Sequence, residues 1–352
     1  MSGESDRVFL FAPSCGLGGG IERYVQTLEG AFAGQGVECR RFNLRAPGGA
    51  AHASLFAEVR GQLRADEMRT RLVIAHCALL PVASLLDREP SVSGISVICH
   101  GKEVWGRRLR ARQQLEICLM KRSRVRVVAV SGFTAGALSK VGTSTVLPPG
   151  LSRDWYQELV DASRSIQLTG PGLKLVTAFR LAQWRDKGLA DLLDAVDALG
   201  RPDVHVTVCG SGEVPRELRE VVSKRPRCTL RPSLSDQELA RQLAAADLFV
   251  LATRTAPGRH PSGEGFGLVL LEAQVAGTPV VAPASGGSRD AYLEGITGIS
   301  PNAEGVQPLA SVLQVLLKDD TRLAQMGKQA AGWAREAFDP ERYAALAVSR
   351  LL

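Results

Sequence analysis

The sequence has few of the features that mark secreted, zinc-binding or membrane-spanning proteins. Its seven cysteines are scattered, odd in number and without a C-x-x-C pair. That pattern is typical of a reduced, cytosolic protein rather than of a disulfide framework or a structural zinc site. No apolar run approaches the roughly 18 residues that a membrane-spanning helix needs. The first residues, MSGESDRVFLFAPS, begin acidic around a short apolar core, which predicts a first strand rather than a signal peptide.

Aromatic residues are also scarce, at 5% of the chain, and this bears on the one strongly charged segment. Residues 107–126, RRLRARQQLEICLMKRSRVR, hold eight basic residues and one acid, Glu116, so their surplus equals the net charge of +7 of the whole chain. Only Trp105 lies nearby, and without interleaved aromatics nucleic acid is not the expected partner. Helical spacing predicts a docked apolar face of Ala111, Leu115, Cys118 and Leu119. The basic side is then either a solvated surface or a contact for an anionic membrane or acceptor.

A chain of 352 residues fits two domains of roughly 150 to 200 residues each. Short apolar runs alternate with segments of helical spacing, such as 22–32, which predicts an α/β protein with parallel sheets. The stretch 148–172 has Pro or Gly at both ends and is the expected joint. The pattern therefore predicts two Rossmann-like domains facing each other across a cleft. The expected strands are 8–12, 37–44, 72–76, 95–100 and 125–130, then 174–178, 204–209, 228–231, 248–252 and 280–282.

Ligands of such sheets bind in the loops that follow the strands, and the first of these loops is rich in glycine. Gly18, Gly19 and Gly20 stand between the first strand and a helix, where backbone amides approach a phosphate or a sugar closely. The alternative is a tight turn without a ligand. Ile21 occupies the position at which the dinucleotide fingerprint requires glycine, and this disfavours a nicotinamide cofactor.

Two histidines end strands of the first half. His100 is followed by Gly101, so its imidazole is predicted to project toward a ligand. His76 has the same placement but no turn residue after it, and a structural or supporting role is expected.

Two loops of the second half carry candidate phosphate ligands. Arg180 lies just past a strand and Lys187 precedes a glycine that opens a helix. A guanidinium fork and an ammonium point charge so placed can clamp a diphosphate. Gly210, Ser211 and Gly212 follow the next strand, where backbone amides can hold a base or a phosphate.

The stretch SGEGFGLVLLE, residues 262–272, contributes two acids eight positions apart. Glu264 lies in the loop before a helix that should begin near Gly267, and Glu272 lies in the second turn of that helix. At a rise of about 1.5 Å per residue the acids are on the order of 10 Å apart, the span from a sugar across a diphosphate to a ribose. The amides of Phe266, Gly267 and Leu268 are predicted to meet the phosphates, helped by the helix dipole.

Taken together, these motifs resemble a known family. HGKE, FRLAQWRDKG, GSGE, LAAADLFVLAT and SGEGFGLVLLEAQVAGTPVVAPASGG, in this order, resemble a retaining glycosyltransferase of family 4 with the two-domain GT-B fold. The likeness spans nearly the whole chain. In motif style the chain is most similar to mannosyltransferases that act on phosphatidylinositol mannosides.

The resemblance implies a role for each candidate residue. Arg180 and Lys187 would bind the donor diphosphate, Glu264 and His100 the transferred sugar, and Glu272 the ribose hydroxyls. Gly18 to Gly20 would lie beside the phosphate and the acceptor. The SGG at 285–287 would line the same ligand site. The domains would span 1–155 for the acceptor and 160–337 for the donor, with a C-terminal helix at about 338–352 packing back on the first. The chain departs from the family's pattern at PPG, residues 148–150, where many members of the family carry Asn-Gly.

The implied reaction moves a hexose from a UDP- or GDP-sugar to the hydroxyl of a small or lipid-linked acceptor, with retention of configuration. No D-x-D triplet occurs, so neither a bridging metal nor a cofactor beyond the nucleotide sugar is expected. The protein is expected in the cytoplasm, at most peripheral to the inner membrane face through residues 107–126. The rival functions are a GT-B sugar-nucleotide epimerase, a non-catalytic sugar-nucleotide-binding protein and an NAD-dependent oxidoreductase.

Overall fold

The structure is a computed structural model that describes residues 7–13, 20–65, 68–101, 110–165, 172–256 and 262–352. The chain divides into two compact units. Unit 1 contains Met1–Ser152 together with Pro340–Leu352, and unit 2 contains Arg153–Ala256 and Ser262–Asp339. Within the described residues each unit is built on its own six-stranded sheet, with all pairings parallel.

The sheet of unit 1 has the strand order β2-β1-β3-β4-β5-β6. Its strands are β1 (Arg7–Ala12), β2 (Cys39–Asn43), β3 (Thr70–Ile74), β4 (Val92–Cys99), β5 (Val125–Ala129) and β6 (Thr145–Val146). Its helices are α1 (Gly20–Gly34), α2 (Gly49–Ala65), α3 (Leu80–Leu86), α4 (Arg110–Met120), α5 (Gly132–Ala137) and, from the end of the chain, α13 (Pro340–Leu351). Every residue of β1 is buried, as expected of a parallel strand with helices on both faces.

The sheet of unit 2 has the strand order β12-β11-β10-β7-β8-β9. Its strands are β7 (Leu173–Arg180), β8 (Val204–Ser211), β9 (Cys228–Pro232), β10 (Leu248–Val250), β11 (Val280–Val281) and β12 (Gly298–Ile299). Its helices are α6 (Arg153–Ser165), α7 (Leu189–Ala198), α8 (Arg216–Ser223), α9 (Asp236–Ala244), α10 (Leu268–Val275), α11 (Val306–Leu316) and α12 (Asp320–Ala337). A core of mainly Leu and Val from this sheet and from α7, α8, α11 and α12 holds the unit together.

The predicted architecture of two Rossmann-like domains with parallel sheets is confirmed. The expected strands coincide with observed ones to within a few residues at their ends. Strand β12, Gly298–Ile299 at the edge of its sheet, was not among the expected strands.

The predicted apolar face of α4 is wrong at three of its four positions. Ala111, Leu115 and Cys118 are exposed, with 49% of Leu115 accessible. Leu119, the fourth position, is buried as expected, and Glu116 and Met120 are buried beside it. The physical reason is the Arg112 guanidinium, whose Nε donates to Glu116 Oε1 at 3.1 Å, so the acid is buried with a partner. The four apolar positions fit the period of a helix, but the carboxylate of Glu116, paired with Arg112, faces the core in place of the exposed apolar side chains.

The basic segment is not one free cationic surface. Besides Arg112, Arg124 donates a hydrogen bond to the carbonyl of Val92 and forms an ion pair with the carboxylate of Asp87. Arg126 donates to the carbonyl of Arg350 at 3.2 Å. Residues 107–109 lie outside the described ranges. In the described part of the chain no helix combines the length and the apolar character needed to cross a bilayer.

Candidate active site

The order of strands in unit 2 creates a place for a ligand. The chain leaves β7 for β8 and β9 on one side and later returns to β10, β11 and β12 on the other. Strands β7 and β10 are neighbours, so the loops that follow them leave the same edge of the sheet in opposite directions. Such a switch point is where open α/β sheets bind their ligands.

A glycine brings these two loops into contact. Gly188 precedes α7 with φ +66°, and a Cβ at this position would overlap the carbonyl oxygen of Ala252. Only glycine permits this backbone at so short a distance. The amide of Arg254 also donates to the carbonyl of Asp186 at 3.2 Å. Lys187 is thereby held against the loop that follows β10.

Glu264 is fixed through both its side chain and its backbone. Its Oε1 accepts from the Lys187 ammonium and from the Thr253 hydroxyl, the latter at 3.0 Å. Its carbonyl accepts the amide of Gly287 at 2.8 Å, and the preceding Gly286 has φ +83° where a Cβ would lie 3.1 Å from the same carbonyl oxygen. The side chains of Lys187 and Glu264 are 15% and 13% exposed, so this charged pair is largely shielded from water.

Helix α10 begins directly after this cluster. Gly267 is its N-cap in the left-handed region with φ +88°, and no side chain caps the first turn. The side chain of Phe266 is buried, with its ring 6.1 Å from that of Phe338, so only its backbone is a candidate contact. An uncapped N-terminus presents backbone amides and a positive dipole end, which suit an anion such as a phosphate. Leu268 is the first residue of this helix.

Glu272 lies in the second turn of α10, as predicted, and is only 5% exposed. Its Oε1 accepts a hydrogen bond of 3.0 Å from the indole Nε1 of Trp155, which lies near the start of α6. Sequence reasoning missed both Trp155 and Thr253. Thr253 follows β10 and was open to the same loop argument as Arg180, whereas no local pattern links Trp155 to Glu272.

The remaining donor-site candidates lie on the same sheet edge. Arg180 is exposed, ends β7 and pairs in register with Ser211 at the end of β8. At Gly210 a Cβ would overlap the carbonyl oxygen of Phe179, so glycine is needed for the two strand ends to approach. Gly212 has φ +90° and open space around it.

His100 directly follows β4 in unit 1. Its Nε2 lies 2.7 Å from the carbonyl oxygen of Ala75, and because a carbonyl only accepts, Nε2 carries the proton. The ring of Tyr24 meets the imidazole edge-on at a centroid distance of 5.5 Å, and His76 stacks at 6.4 Å. The Nδ1 of His76 accepts from the amide of Ala78 and caps a short 3-10 turn, which fits the supporting role expected for it.

Of the glycine loop, only Gly20 falls within the described residues, as the first and exposed residue of α1. Gly18 and Gly19 lie outside them. In the described ranges no three His, Cys, Asp or Glu side chains are grouped closely enough to hold a metal ion.

Comparisons with known proteins identify the family of the chain. The sequence profile of the family described as "Glycosyl transferases group 1" matches residues 172–319. A GDP-mannose-dependent alpha-(1-6)-phosphatidylinositol monomannoside mannosyltransferase of Mycolicibacterium smegmatis is 30% identical over 270 residues, which cover 73% of this chain and 70% of that protein. A D-inositol 3-phosphate glycosyltransferase of an Arthrobacter species is 32% identical over 54% of this chain and 47% of its own length.

Solved structures show the same fold at low identity. Sucrose-phosphate synthase from Thermosynechococcus elongatus superposes with a TM-score of 0.80 at 18% identity, covering 97% of both chains. Anabaena HepE in complex with UDP and glucose superposes with a TM-score of 0.75 at 18% identity, covering 98% of this chain and all of that one. The chain therefore belongs to the group 1 glycosyltransferases and is a hexosyltransferase with the GT-B fold.

Proposed function

We propose that this enzyme transfers a hexose from a UDP- or GDP-sugar to the hydroxyl of an acceptor, with retention of configuration and without a metal ion. The observation that carries the proposal is the cluster of Lys187, Thr253 and Glu264 in front of the uncapped N-terminus of α10. Glu272 lies farther along the same helix. The two carboxylates and the amides between them match the order sugar, diphosphate, ribose in a nucleotide sugar.

Each group has a proposed role in donor binding. Glu264 accepts hydrogen bonds from sugar hydroxyls, and Glu272 accepts them from the ribose. The amides at Phe266, Gly267 and Leu268 hold the diphosphate together with Arg180 and Lys187. The loop at Gly210, Ser211 and Gly212 holds the base or the distal ribose edge.

Charge on the leaving diphosphate is balanced by the protein itself. Arg180, Lys187 and the positive end of the α10 dipole supply fixed positive charge where negative charge develops, and preorganised charge of this kind lowers a transition state without reorganisation. This is the basis for proposing a metal-independent reaction with no cofactor. Lys187 pairs with Glu264 in the structure, so a bound donor shares this ammonium between the carboxylate and its phosphate.

The proposed chemical step is a substitution on one face of the sugar. The acceptor oxygen forms a bond to the anomeric carbon as the bond from that carbon to the phosphate oxygen breaks. The acceptor proton passes to the leaving phosphate, and the nucleoside diphosphate departs. No enzymic nucleophile takes part. His100 is proposed to contact the transferred sugar through its imidazole, as the resemblance implies, and the bond to Ala75 holds its tautomer.

The acceptor is proposed to carry a phosphorylated inositol. The names of the two relatives include phosphatidylinositol monomannoside and D-inositol 3-phosphate, and both molecules combine ring hydroxyls with an anionic phosphate. The glycine loop that includes Gly18, Gly19 and Gly20 is proposed to bind this end of the acceptor. A lipid-linked acceptor would also place the cytoplasmic enzyme at the inner membrane face, with the exposed side of α4 and its basic neighbours as the contact.

The proposal is tested with purified protein and a panel of GDP-mannose, UDP-glucose and UDP-N-acetylglucosamine, with inositol 3-phosphate or vesicles of phosphatidylinositol as acceptor. We expect one donor to be consumed only with acceptor present, turnover to persist in EDTA, and proton NMR of the product to show the anomeric configuration of the donor. Glu264→Gln should lower kcat/KM at least 100-fold. Inverted product, loss of turnover in EDTA that a metal restores, or epimerised donor without an acceptor would each contradict it.

A further inference from the structure

The contact between Trp155 and Glu272 joins two segments that are far apart in the sequence. Trp155 lies in the first turn of α6, and Glu272 lies in α10, and both belong to unit 2. The indole Nε1 donates to the carboxylate Oε1 at 3.0 Å, and both residues are more than nine-tenths buried. A buried hydrogen bond to a charged acceptor is among the stronger single interactions in a protein.

The chemistry of the donor determines what this contact does. An indole N–H only donates and carries no charge, so it fixes the orientation of the carboxylate without neutralising it. A carboxylate oxygen has two lone pairs, so an oxygen that accepts from Trp155 retains capacity for a second donor.

We propose that Trp155 is a positioning residue for the nucleotide ribose, acting by holding Glu272 in the orientation that accepts hydrogen bonds from the ribose hydroxyls. The inference rests on the ribose role proposed above for Glu272. It predicts a specific defect: loss of the indole N–H weakens recognition of the ribose hydroxyls and leaves recognition of the base and diphosphate intact.

The test compares nucleotides with and without those hydroxyls. Calorimetric titration of the full-length protein with UDP and GDP, and with their 2′,3′-dideoxy forms, gives the ratio of the two dissociation constants. For the wild type we expect the dideoxy form of the preferred nucleotide to bind about 100-fold more weakly, since two hydrogen bonds to a charged group are absent. Trp155→Phe should weaken the ribonucleotide about tenfold and leave the dideoxy form unchanged, so the ratio falls to about 10.

Trp184→Phe is the matched control. Trp184 is a buried tryptophan of the same unit, and its indole Nε1 has no hydrogen-bond partner among the described residues. Its replacement should leave the ratio at the wild-type value. If Trp155→Phe weakens both nucleotides equally, Trp155 is a packing residue and the proposal is overturned.

Glu272→Gln separates failure of the inference from failure of the proposed function. If Glu272→Gln leaves the ratio of the two dissociation constants unchanged, the carboxylate does not bind the ribose hydroxyls. The ribose role of Glu272 in the proposed function is then wrong. If Glu272→Gln lowers the ratio and Trp155→Phe does not, only the inference fails. Should Trp155→Phe not fold, 3-benzothienylalanine introduced at position 155 by stop-codon suppression removes the N–H, keeps the bicyclic shape and gives the same two outcomes.

Discussion

At the scale of single residues, Gly188 is what allows Lys187 to reach Glu264. The side chain of Lys187 is flexible, but its backbone is held where the α7 N-cap touches the carbonyl of Ala252. Any residue with a Cβ would have to move the loop away from β10. The position of the ammonium therefore depends on the absence of a neighbouring side chain.

Gly188→Ala should lower both stability and turnover. The added Cβ meets backbone, and the left-handed conformation is strained for alanine, so we expect a loss of about 3 kcal/mol in the free energy of unfolding and a kcat/KM at least tenfold lower. Gly200→Ala is the control, because its φ of +62° is similar while nothing lies within 4 Å of the added Cβ. It should cost about 1 kcal/mol and leave kcat/KM unchanged. Equal effects of the two substitutions in denaturant titrations would show that the backbone conformation, and not the contact, is limiting.

Cysteine reactivity gives a second prediction at this scale. Burial raises the pKa of Cys209 to about 12 and that of Cys228 to about 11, whereas Cys118 is exposed on α4. Because the thiolate is the reactive form, iodoacetamide at pH 8 should modify Cys118 at least 100-fold faster than Cys209, as measured by mass spectrometry of the peptides. Rapid labelling of Cys209 in the folded protein would contradict the burial of β8.

The same burial sets a pH dependence of stability. A thiol in the unfolded chain ionises near pH 9, while Cys209 keeps its proton up to about pH 12. The unfolded state therefore binds fewer protons in this window, and the free energy of unfolding should fall as pH rises from 9 to 12. Cys209→Ala should flatten that dependence, which urea titrations at pH 8, 9 and 10 can measure.

The sequence identified candidate residues in the loops that follow strands, but it did not identify the residues that hold those side chains in position. Lys187 and Glu264 were predicted as neighbours of one ligand, and the structure brings them into one cluster. Trp155 could not be predicted as the partner of Glu272, since pairing across more than a hundred residues depends on how α6 packs in the folded unit. Whether the candidate residues have their proposed roles stays a prediction.

At the scale of elements, α4 shows the limit of helical periodicity. The exposed row of Ala111, Leu115 and Cys118 has the spacing of a core face, and a period alone does not say which side of a helix is inward. The side of α4 that faces the core is the one that carries Glu116, because the ion pair with Arg112 allows this carboxylate to be buried. The outcome is a helix with apolar side chains exposed beside basic ones.

Vesicle binding tests the role proposed for this element. Leu115→Ser combined with Lys121→Glu and Arg122→Glu should reduce cosedimentation with phosphatidylglycerol vesicles at least tenfold, because each basic residue near an anionic surface contributes about 1 kcal/mol. Val315→Ser is the control, since Val315 on α11 of unit 2 is exposed to a similar degree, at 59%. Unchanged sedimentation of the triple variant would exclude α4 as the membrane contact.

Helix α13 contacts the rest of unit 1 both near its start and at its end. The ring of Tyr343 lies against Gly150, where a Cβ would stand 2.5 Å from Tyr343 Cγ. The carbonyl of Leu351 accepts from the hydroxyl of Ser96 at 2.6 Å, and Arg126 bonds the adjacent carbonyl of Arg350. Burial raises the pKa of Tyr343 well above its usual value, so the ring stays neutral in its site.

Gly150→Ala and Tyr343→Ala should each destabilise the protein, by about 2 kcal/mol for the crowded alanine and about 3 to 5 kcal/mol for the lost ring. The double variant should lose less than the sum of the two, because the ring that the new Cβ meets is gone. Chemical denaturation of the four proteins measures this coupling. Strict additivity would show that the two residues act independently.

At the scale of the whole molecule, the alternation of strand and helix was sufficient to predict two parallel sheets, because parallel pairing requires helical crossovers that the sequence shows directly. The order of strands was not predictable from local pattern. In unit 2 that order places the candidate donor residues at the switch point between β7 and β10.

Bound donor nucleotide should therefore slow hydrogen exchange in the loops that follow the strands of the unit 2 sheet. At about 100 times its dissociation constant, the preferred nucleoside diphosphate should add about 2.7 kcal/mol to the free energy of unfolding. Hydrogen exchange should slow in segments 179–188, 210–212 and 262–272, and strands β9 and β12 serve as internal controls. Protection confined to unit 1 would place the donor elsewhere.

The grouping of α13 with unit 1 also has a consequence for synthesis of the protein on the ribosome. The site that Tyr343 fills beside Gly150 is made by the first part of the chain, while the residue that fills it emerges only after all of unit 2. Unit 2 is continuous apart from residues 257–261 and can complete its core earlier. We expect the nascent chain to finish folding its second unit before its first, opposite to the usual order from N- to C-terminus.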